Sequence, residues 1–439
     1  MKKKDIGNGT SIPTYAINLR ERTDRVDHIK SQFEGRSEFD LKLLQTDKHE
    51  IGTIGLWQNI VKIITEAKKK DIEYVIICED DHVFTNKYMP KMLYEYIFLC
   101  QQKKVDILLG GVSWFNDALQ ISKNLFWVDQ FTGLQFVVVF KRFFEVILEA
   151  GFNDIDTADL KISSLAKNKL VIYPFISIQK EFGYSDVTAK NNAGGYVDSI
   201  FKNTLAMMDK IAKVKRFYQN ILKGEKVDDF AADDFSIPTY VINLPKRQER
   251  LEHAKLQFAG RCEFDVNVIE ACEHQIGAVG LWQSIRKIIK IAIENDDDVI
   301  IICEDDHVFT EEYTKEKLLE NIIRANDLGT YVVFGGIGNY GTAVPVAGNL
   351  WWIDSLWSTQ FVIVFKQFFQ QILDEPFLET VTSDGKFSEM TSRKMVIYPF
   401  ISVQKDFGYS DICLRESYRG DDTFRDTSFR LDKLKRVLL

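Results

Sequence analysis

The apolar run Val75–Cys78 ends in three adjacent carboxylates, Glu79, Asp80 and Asp81; the run Ile300–Cys303 ends in Glu304, Asp305 and Asp306. Neighbouring negative charges repel one another and add nothing to a strand end. Successive side chains of an extended segment point to opposite sides. Glu79 and Asp81 therefore face one way and Asp80 the other. Two carboxylates on one side suit a hard divalent cation, and Mg²⁺ commonly combines one or two carboxylates with phosphate oxygens. A solvated acidic turn is the competing reading. Placement at the end of a core strand, twice, favours the cation, with Glu79, Asp81, Glu304 and Asp306 as its candidate ligands.

A second feature complements the first. The stretch INLRERTDR carries Asn18, Arg22 and Arg25, and INLPKRQER carries Asn243, Arg247 and Arg250. Arginines that follow a strand near a helix N-terminus suit phosphate oxygens. With Asp80 and Asp305, these residues form a candidate nucleotide-binding set: carboxylates for a cation, arginines for a diphosphate. Neither a G-x-x-x-x-G-K-[ST] loop nor a G-x-G-x-x-G fingerprint is present, so the P-loop and the dinucleotide-binding turn are excluded.

The elements that position these residues come in two sets. SIPTYAINL at Ser11 returns as SIPTYVINL at Ser236, an offset of 225 (236 − 11) that also relates Glu79 to Glu304, Gly110 to Gly335 and Tyr173 to Tyr398. The register is expected to hold from end to end without a net insertion. A period this long is a duplicated domain rather than a solenoid repeat. The pattern places a first domain at residues 1–187, a helical connector with an acidic linker at 188–235, and a second domain at 236–439. Each copy alternates strand and helix: strands at Pro13–Asn18, Phe39–Leu44, Val75–Cys78, Val105–Leu109, Phe136–Phe140 and Leu170–Tyr173, and helices at Glu21–Phe33 and Thr53–Lys69. This order predicts an α/β fold with Val75–Cys78 central in a parallel sheet. Ligands of such sheets bind at the carboxyl ends of the strands, where the carboxylates sit.

The composition is that of ordinary globular protein, with 45% hydrophobic and 27% charged residues over 439 positions. The net charge of −8 argues against a nucleic-acid binder. None of the six cysteines forms a C-x-x-C pair, and the expectation is buried thiols in a reducing compartment. The first residues, MKKKDIGNGTS, carry charge with no apolar stretch behind it, and no run approaches a membrane span. The expected location is the cytoplasm. The basic, amphipathic tail SFRLDKLKRVLL raises peripheral association with a membrane's inner face, and packing on its own domain is the favoured alternative.

The motif order resembles glycosyltransferase family 25, which includes lipooligosaccharide and collagen galactosyltransferases. YVINLPKRQER, HQIGAVGLWQSI, IIICEDDHVF and YPFISVQKDFGYSDI carry the resemblance, which covers nearly all of each repeat. It implies two tandem GT-A-like (Rossmann-like) nucleotide-sugar-binding domains. It also implies a UDP-sugar donor, Mn²⁺ or Mg²⁺, inversion at the anomeric carbon, and a glycan or glycoconjugate acceptor, by analogy in bacterial surface (lipopolysaccharide-type) polysaccharide synthesis. The transferred sugar would be a hexose, galactose or glucose. The family's acidic motif falls on Glu79-Asp80-Asp81 and Glu304-Asp305-Asp306. Its late Gln and Ser-Asp fall on Gln179, Ser185 and Asp186, and on Gln404, Ser410 and Asp411. The chain departs from the family at Leu56-Trp57 and Leu281-Trp282, where Ser-His is usual, and at Cys272, where the first copy keeps Asp47.

Inverting transfer needs a base for the acceptor hydroxyl. Asp159 and Asp384, each ahead of a helical run, are the candidates; Asp186 and Asp411 stand second, and a helix N-cap is the competing role for Asp159. His82 and His307 follow the carboxylates and either reach the metal or, the favoured reading, orient the turn. Trp57 and Trp282 read as core, whereas Trp127 and Trp352 suit a stacking platform or the core equally. Three readings of function follow: two working transferase sites, one catalytic copy beside a binding or scaffold copy, or a metal-dependent phosphohydrolase or nucleotidyltransferase.

Overall fold

A computed structural model describes residues 11–183, 194–223, 236–409 and 420–438. The chain divides into two compact units, Met1–Ala212 and Lys213–Val437, with the division inside one long helix.

The first unit runs β1 (Ile12–Leu19), α1 (Thr23–Phe33), β2 (Phe39–Thr46), α2 (Gly52–Lys69), β3 (Tyr74–Glu79), β4 (His82–Phe84), α3 (Pro90–Gln102) and β5 (Ile107–Leu109). An all-β excursion follows: β6 (Trp114–Phe115), β7 (Ala118–Ser122), β8 (Leu125–Val128), β9 (Phe131–Thr132) and β10 (Phe136–Phe140). The unit closes with α4 (Phe144–Glu149), α5 (Ala158–Leu165), β11 (Lys169–Ile172), β12 (Ser177–Gln179) and α6 (Tyr196–Leu222).

Eight strands form one mixed sheet in the order β2-β1-β3-β10-β5-β11-β8-β7. β1 is parallel to β2 and β3, but β10 runs antiparallel between β3 and β5. The purely parallel sheet expected from the alternating elements is therefore corrected. A fully apolar strand buried on both faces reads the same in either direction, so its hydrophobicity does not encode its sense. The centre is dry: Val75, Ile76, Cys78, Leu108, Val138 and Val139 are all fully buried. α2 packs one face here, with Ile60, Ile63, Ile64 and Ala67 recurring at helical spacing.

The second unit repeats the plan. Its sheet follows the same order, from Phe264–Glu270 through Ile237–Asn243, Val299–Glu304 and Phe361–Phe365 to Ala343–Ala347. The C-terminal helix, Gly420–Leu438, buries Phe424, Thr427, Leu431 and Leu434 against its own unit, the alternative favoured for the tail. Thr427 Oγ1 donates to Gly338 O, as Thr204 Oγ1 of α6 donates to Ser113 O at 2.7 Å. The carbonyls obey the 225 offset, whereas the threonines are 223 apart (427 − 204). The expectation of no net insertion is corrected: the second copy is two residues shorter before this helix.

Among the described residues, no helix is long and apolar enough to cross a membrane. The acidic linker GEKVDDFAADD, Ser185, Asp186, Ser410 and Asp411 lie outside the described residues.

Candidate active site

The site of the first unit is built on the carboxyl ends of β1 and β3, which pair in parallel with Ile17 opposite Glu79. That register sets Asn18 beside the turn after β3. Asn18 Nδ2 donates to Asp80 Oδ2 at 2.8 Å, and Arg25 NH1, from α1, donates to Asp80 Oδ1 at 2.8 Å. The second unit repeats this, with Asn243 Nδ2 at 2.8 Å and Arg250 NH1 at 3.1 Å from the two oxygens of Asp305. The strand alternation read from the sequence stops at Glu79, because Asp80 and Asp81 form the turn after β3, and the arginine reaches both: Arg25 NH1 lies 3.9 Å from Asp81 Oδ2, and Arg250 NH1 donates to Asp306 Oδ2 at 3.3 Å.

This corrects the assignment of the nucleotide set. Asn18, Arg25, Asn243 and Arg250 grip a buried carboxylate rather than standing clear for phosphate, and both oxygens of Asp80 and of Asp305 are engaged. Packing drives the choice, because a buried carboxylate must be paired. Arg22 still lines the cavity described below, and Arg247 lies under the Tyr409 ring, 4.9 Å from its centroid.

The turn is clamped from behind. β4 pairs with β12, Lys180 N donates to Asp81 O at 2.7 Å, and the Gln179 side chain bonds the Asp81 carboxylate. In the second unit Gln404 Nε2 donates to Asp306 Oδ2 at 3.1 Å. His82 and His307 are fully buried, bonded through Nδ1 to Ser177 and Ser402, and burial pushes both imidazoles down to about 3, so they are neutral. They pack in the core behind the turn, and the Nε2 of each is buried without a hydrogen bond. His28 and His253 contact the backbone carbonyls of His82 and His307 at 3.0 and 3.1 Å, a clamp that no motif had marked.

Glu79 and Asp81 open onto a cavity of 420 Å³ that also takes in Arg22, Asp47, Lys48, Thr132, Asp159 and Lys180. This is the usual size of a small-ligand site. Burial, with Asp81 and Asp159 nearby, raises the Glu79 carboxyl well above its ordinary range. Burial and Asp80 push Asp81 up to about 7, against the pull of Arg25. Glu304 rises to about 8 and Asp306 to about 6 for the same reasons. Glu304 is restrained by Thr359 Oγ1, which donates to it at 2.7 Å; the first copy has Leu134 there.

Does this set fit a divalent cation? Asp81 Oδ1 and Asp306 Oδ1 are buried and accept no hydrogen bond, and the charge of each residue is only partly offset, by Arg25 and Gln179 or by Arg250 and Gln404, against the repulsion of Asp80 or Asp305. Among the described residues, no group of three or more histidine, cysteine or carboxylate side chains converges on a metal position. Two carboxylates with an orphaned oxygen fit a cation whose remaining ligands are phosphate and water, and not an all-protein cage.

Asp159 and Asp384 reach the same place from the first turn of their helices. Thr157 and Thr382 hold the N-cap positions, so the capping role foreseen for Asp159 is corrected. Each aspartate instead clasps the loop opposite: Gly133 N donates to Asp159 Oδ2 at 3.3 Å, and Ser358 N to Asp384 Oδ2 at 3.0 Å. Trp57 and Trp282 are core, stacked on Phe152 and Phe377. Trp127 and Trp352 are also core, 7% and 2% exposed, which removes them as stacking platforms. Sequence reasoning missed Gln135 and Gln360. Each is fully buried and donates to the carbonyl of Gly111 or Gly336 at 3.0 Å, and a lone glutamine opening an apolar strand was the signal. Those glycines are obligatory, since a Cβ at Gly111 or Gly336 would collide with the carbonyl of Ser177 or Ser402.

No family model matches the chain, and no curated protein matches it. Among solved structures it is similar to A197 from STIV, at 14% identity over 40% of this chain and 87% of that one, with a TM-score of 0.27. It is also similar to UDP-glucose pyrophosphorylase: the apo form at 12% identity over 45% of this chain and 82% of that one, TM-score 0.26. The form complexed with UDP-glucose matches at 10% identity over 45% and 81%, TM-score 0.27.

Proposed function

We propose that the chain is a glycosyltransferase of the family 25 type. Each unit would move a hexose from a UDP-sugar to a glycan or glycoconjugate acceptor with inversion. One observation carries this reading: in the first unit Asn18 and Arg25 engage both oxygens of Asp80, while Glu79 and Asp81, with one Asp81 oxygen left without a hydrogen bond, line a ligand-sized cavity. Glu79 and Asp81, or Glu304 and Asp306, would hold Mn²⁺ or Mg²⁺, which neutralises a leaving diphosphate. Arg22 and Lys180 line the same cavity and suit the phosphates. Asp159 and Asp384 stand near enough to Glu79 and Glu304 to raise their proton affinity, and each would take the proton of an acceptor hydroxyl.

Both copies keep this inner set, and they differ at the rim. This supports two working sites rather than one catalyst and one scaffold. The test is UDP release from UDP-galactose and UDP-glucose with Mn²⁺. Release that requires an added saccharide acceptor supports transfer. UMP and sugar 1-phosphate formed without acceptor mark a phosphohydrolase, and UTP and sugar 1-phosphate formed with added pyrophosphate mark a nucleotidyltransferase; either would overturn the reading.

A further inference from the structure

Five of the chain's seven tryptophans are core residues, no more than 7% exposed. The other two, Trp114 and Trp357, are 45% and 46% exposed. Both stand on the same small element. In the first unit β6 pairs with β9 and sets Trp114 opposite Thr132. In the second, Asn339–Tyr340 pairs with Leu356–Trp357 and sets Asn339 opposite Trp357. By the 225 offset Asn339 answers to Trp114, and Trp357 answers to Thr132. The indole has changed strand while keeping its place in the cross-strand pair. Directly opposed residues of an antiparallel pair share one face. Each copy thus presents one exposed indole on one face of one ribbon, delivered by different residues.

The ribbon is continuous with the site. Ser113, Thr132 and Gly133 line the cavity of the first unit. In the second unit the residue after Trp357 is Ser358, held at a φ of +87° and bonded through its N–H to Asp384, the candidate base. Arg430 NH1 donates to Asn339 Oδ1 at 2.7 Å, which secures the opposite strand. A half-exposed indole is costly to leave in water and offers a flat apolar surface.

We infer that these ribbons are acceptor platforms, on which Trp114 and Trp357 stack against the apolar face of a pyranose ring. This rests on the transferase reading of the two carboxylate sites. It adds that the two sites hold their acceptors in different positions. The platforms are shifted by one strand spacing, roughly 5 Å, so the two copies take different acceptors or different sugars of one acceptor.

The test uses the full chain with UDP and Mn²⁺ present. Lactose, maltotriose, cellotriose and chitotriose are titrated by saturation-transfer NMR and calorimetry against wild type, Trp114→Ala, Trp357→Ala and the two Trp→Phe variants. At least one saccharide is expected to bind, and the alanine variant of its own copy to weaken it about tenfold. Phe would restore most of the affinity, and UDP binding would stay unchanged in all variants. Saccharide binding indifferent to both alanine variants overturns the inference, as does UDP binding with no saccharide bound. A dimer that Trp→Ala converts to monomer without touching saccharide affinity assigns the indoles to a protein interface and also overturns it. Failure of the wild type to bind UDP removes the transferase reading itself, and this inference with it.

Discussion

Asp305 sits 8% exposed between Asn243 and a 6%-exposed Arg250, so neither partner can leave without stranding a buried charge. Arg250→Ala is expected to destabilise the protein by about 3 kcal/mol, read as a lower urea midpoint; a loss near zero would return Arg250 to the phosphate role read from the sequence. Asp384→Asn separates the clasp on Ser358 from the proposed role as base. Asparagine keeps an oxygen to accept from Ser358 N, so folding and UDP binding are expected to persist while transfer falls by two orders of magnitude or more, about the worth of a general base. Unchanged transfer would make Asp384 a clasp alone. The period of two does not carry through Asp80 and Asp81, which form a turn, although the apolar strand ending in Glu79 was legible. The grip on Asp80 was not, because it joins residues 55 and 62 positions apart, a contact no local pattern encodes.

At the scale of elements, the long amphipathic helices and the apolar strands were readable from periodicity. The two-residue strands of the Trp114 and Trp357 ribbons were not, because two residues carry no period. The antiparallel sense of β10 was hidden for the reason given above. The loop that Asp159 and Asp384 clasp carries a further prediction. Gly133 adopts a φ of +102°, whereas its counterpart Ser358 holds +87° with a side chain, a left-handed conformation costly for any residue but glycine. Ser358→Gly is expected to stabilise the second unit by about 0.5–1 kcal/mol. Gly133→Ala should destabilise the first by about 1–2 kcal/mol, since its Cβ would also lie 2.9 Å from Gln135 Oε1. Thermal melts of both variants check the pair, and equal signs would contradict the assignment.

For the whole molecule, duplication was plain from the 225 offset, while the two-residue shortening before the last helix emerged only from matching Thr204 to Thr427. The rims differ where the inner sets do not: Leu134 against Thr359, Thr132 against Trp357, Asp47 against Cys272. Both units share one electrostatic signature. Asp81, Glu304 and Asp306 take up protons at about 7, 8 and 6, above the ordinary carboxylate value of about 4. A raised folded-state value means that stability is full below the ordinary value and is lost as pH climbs through the folded one. The melting temperature without cation is therefore expected to fall between about pH 4 and 8. Mn²⁺ should restore it most at the alkaline end, and Glu304→Gln with Asp81→Asn should flatten the profile. A melting temperature rising over that range would contradict the assignment.

The central claim is that each triplet seats a cation for a nucleotide diphosphate. Calorimetric titration of UDP into wild type, Asp81→Asn and Asp306→Asn, with and without Mn²⁺, tests it most directly. Two Mn²⁺-dependent sites, one lost with each substitution, are the expected result. No UDP binding, or binding that neither Mn²⁺ nor either substitution alters, would contradict it.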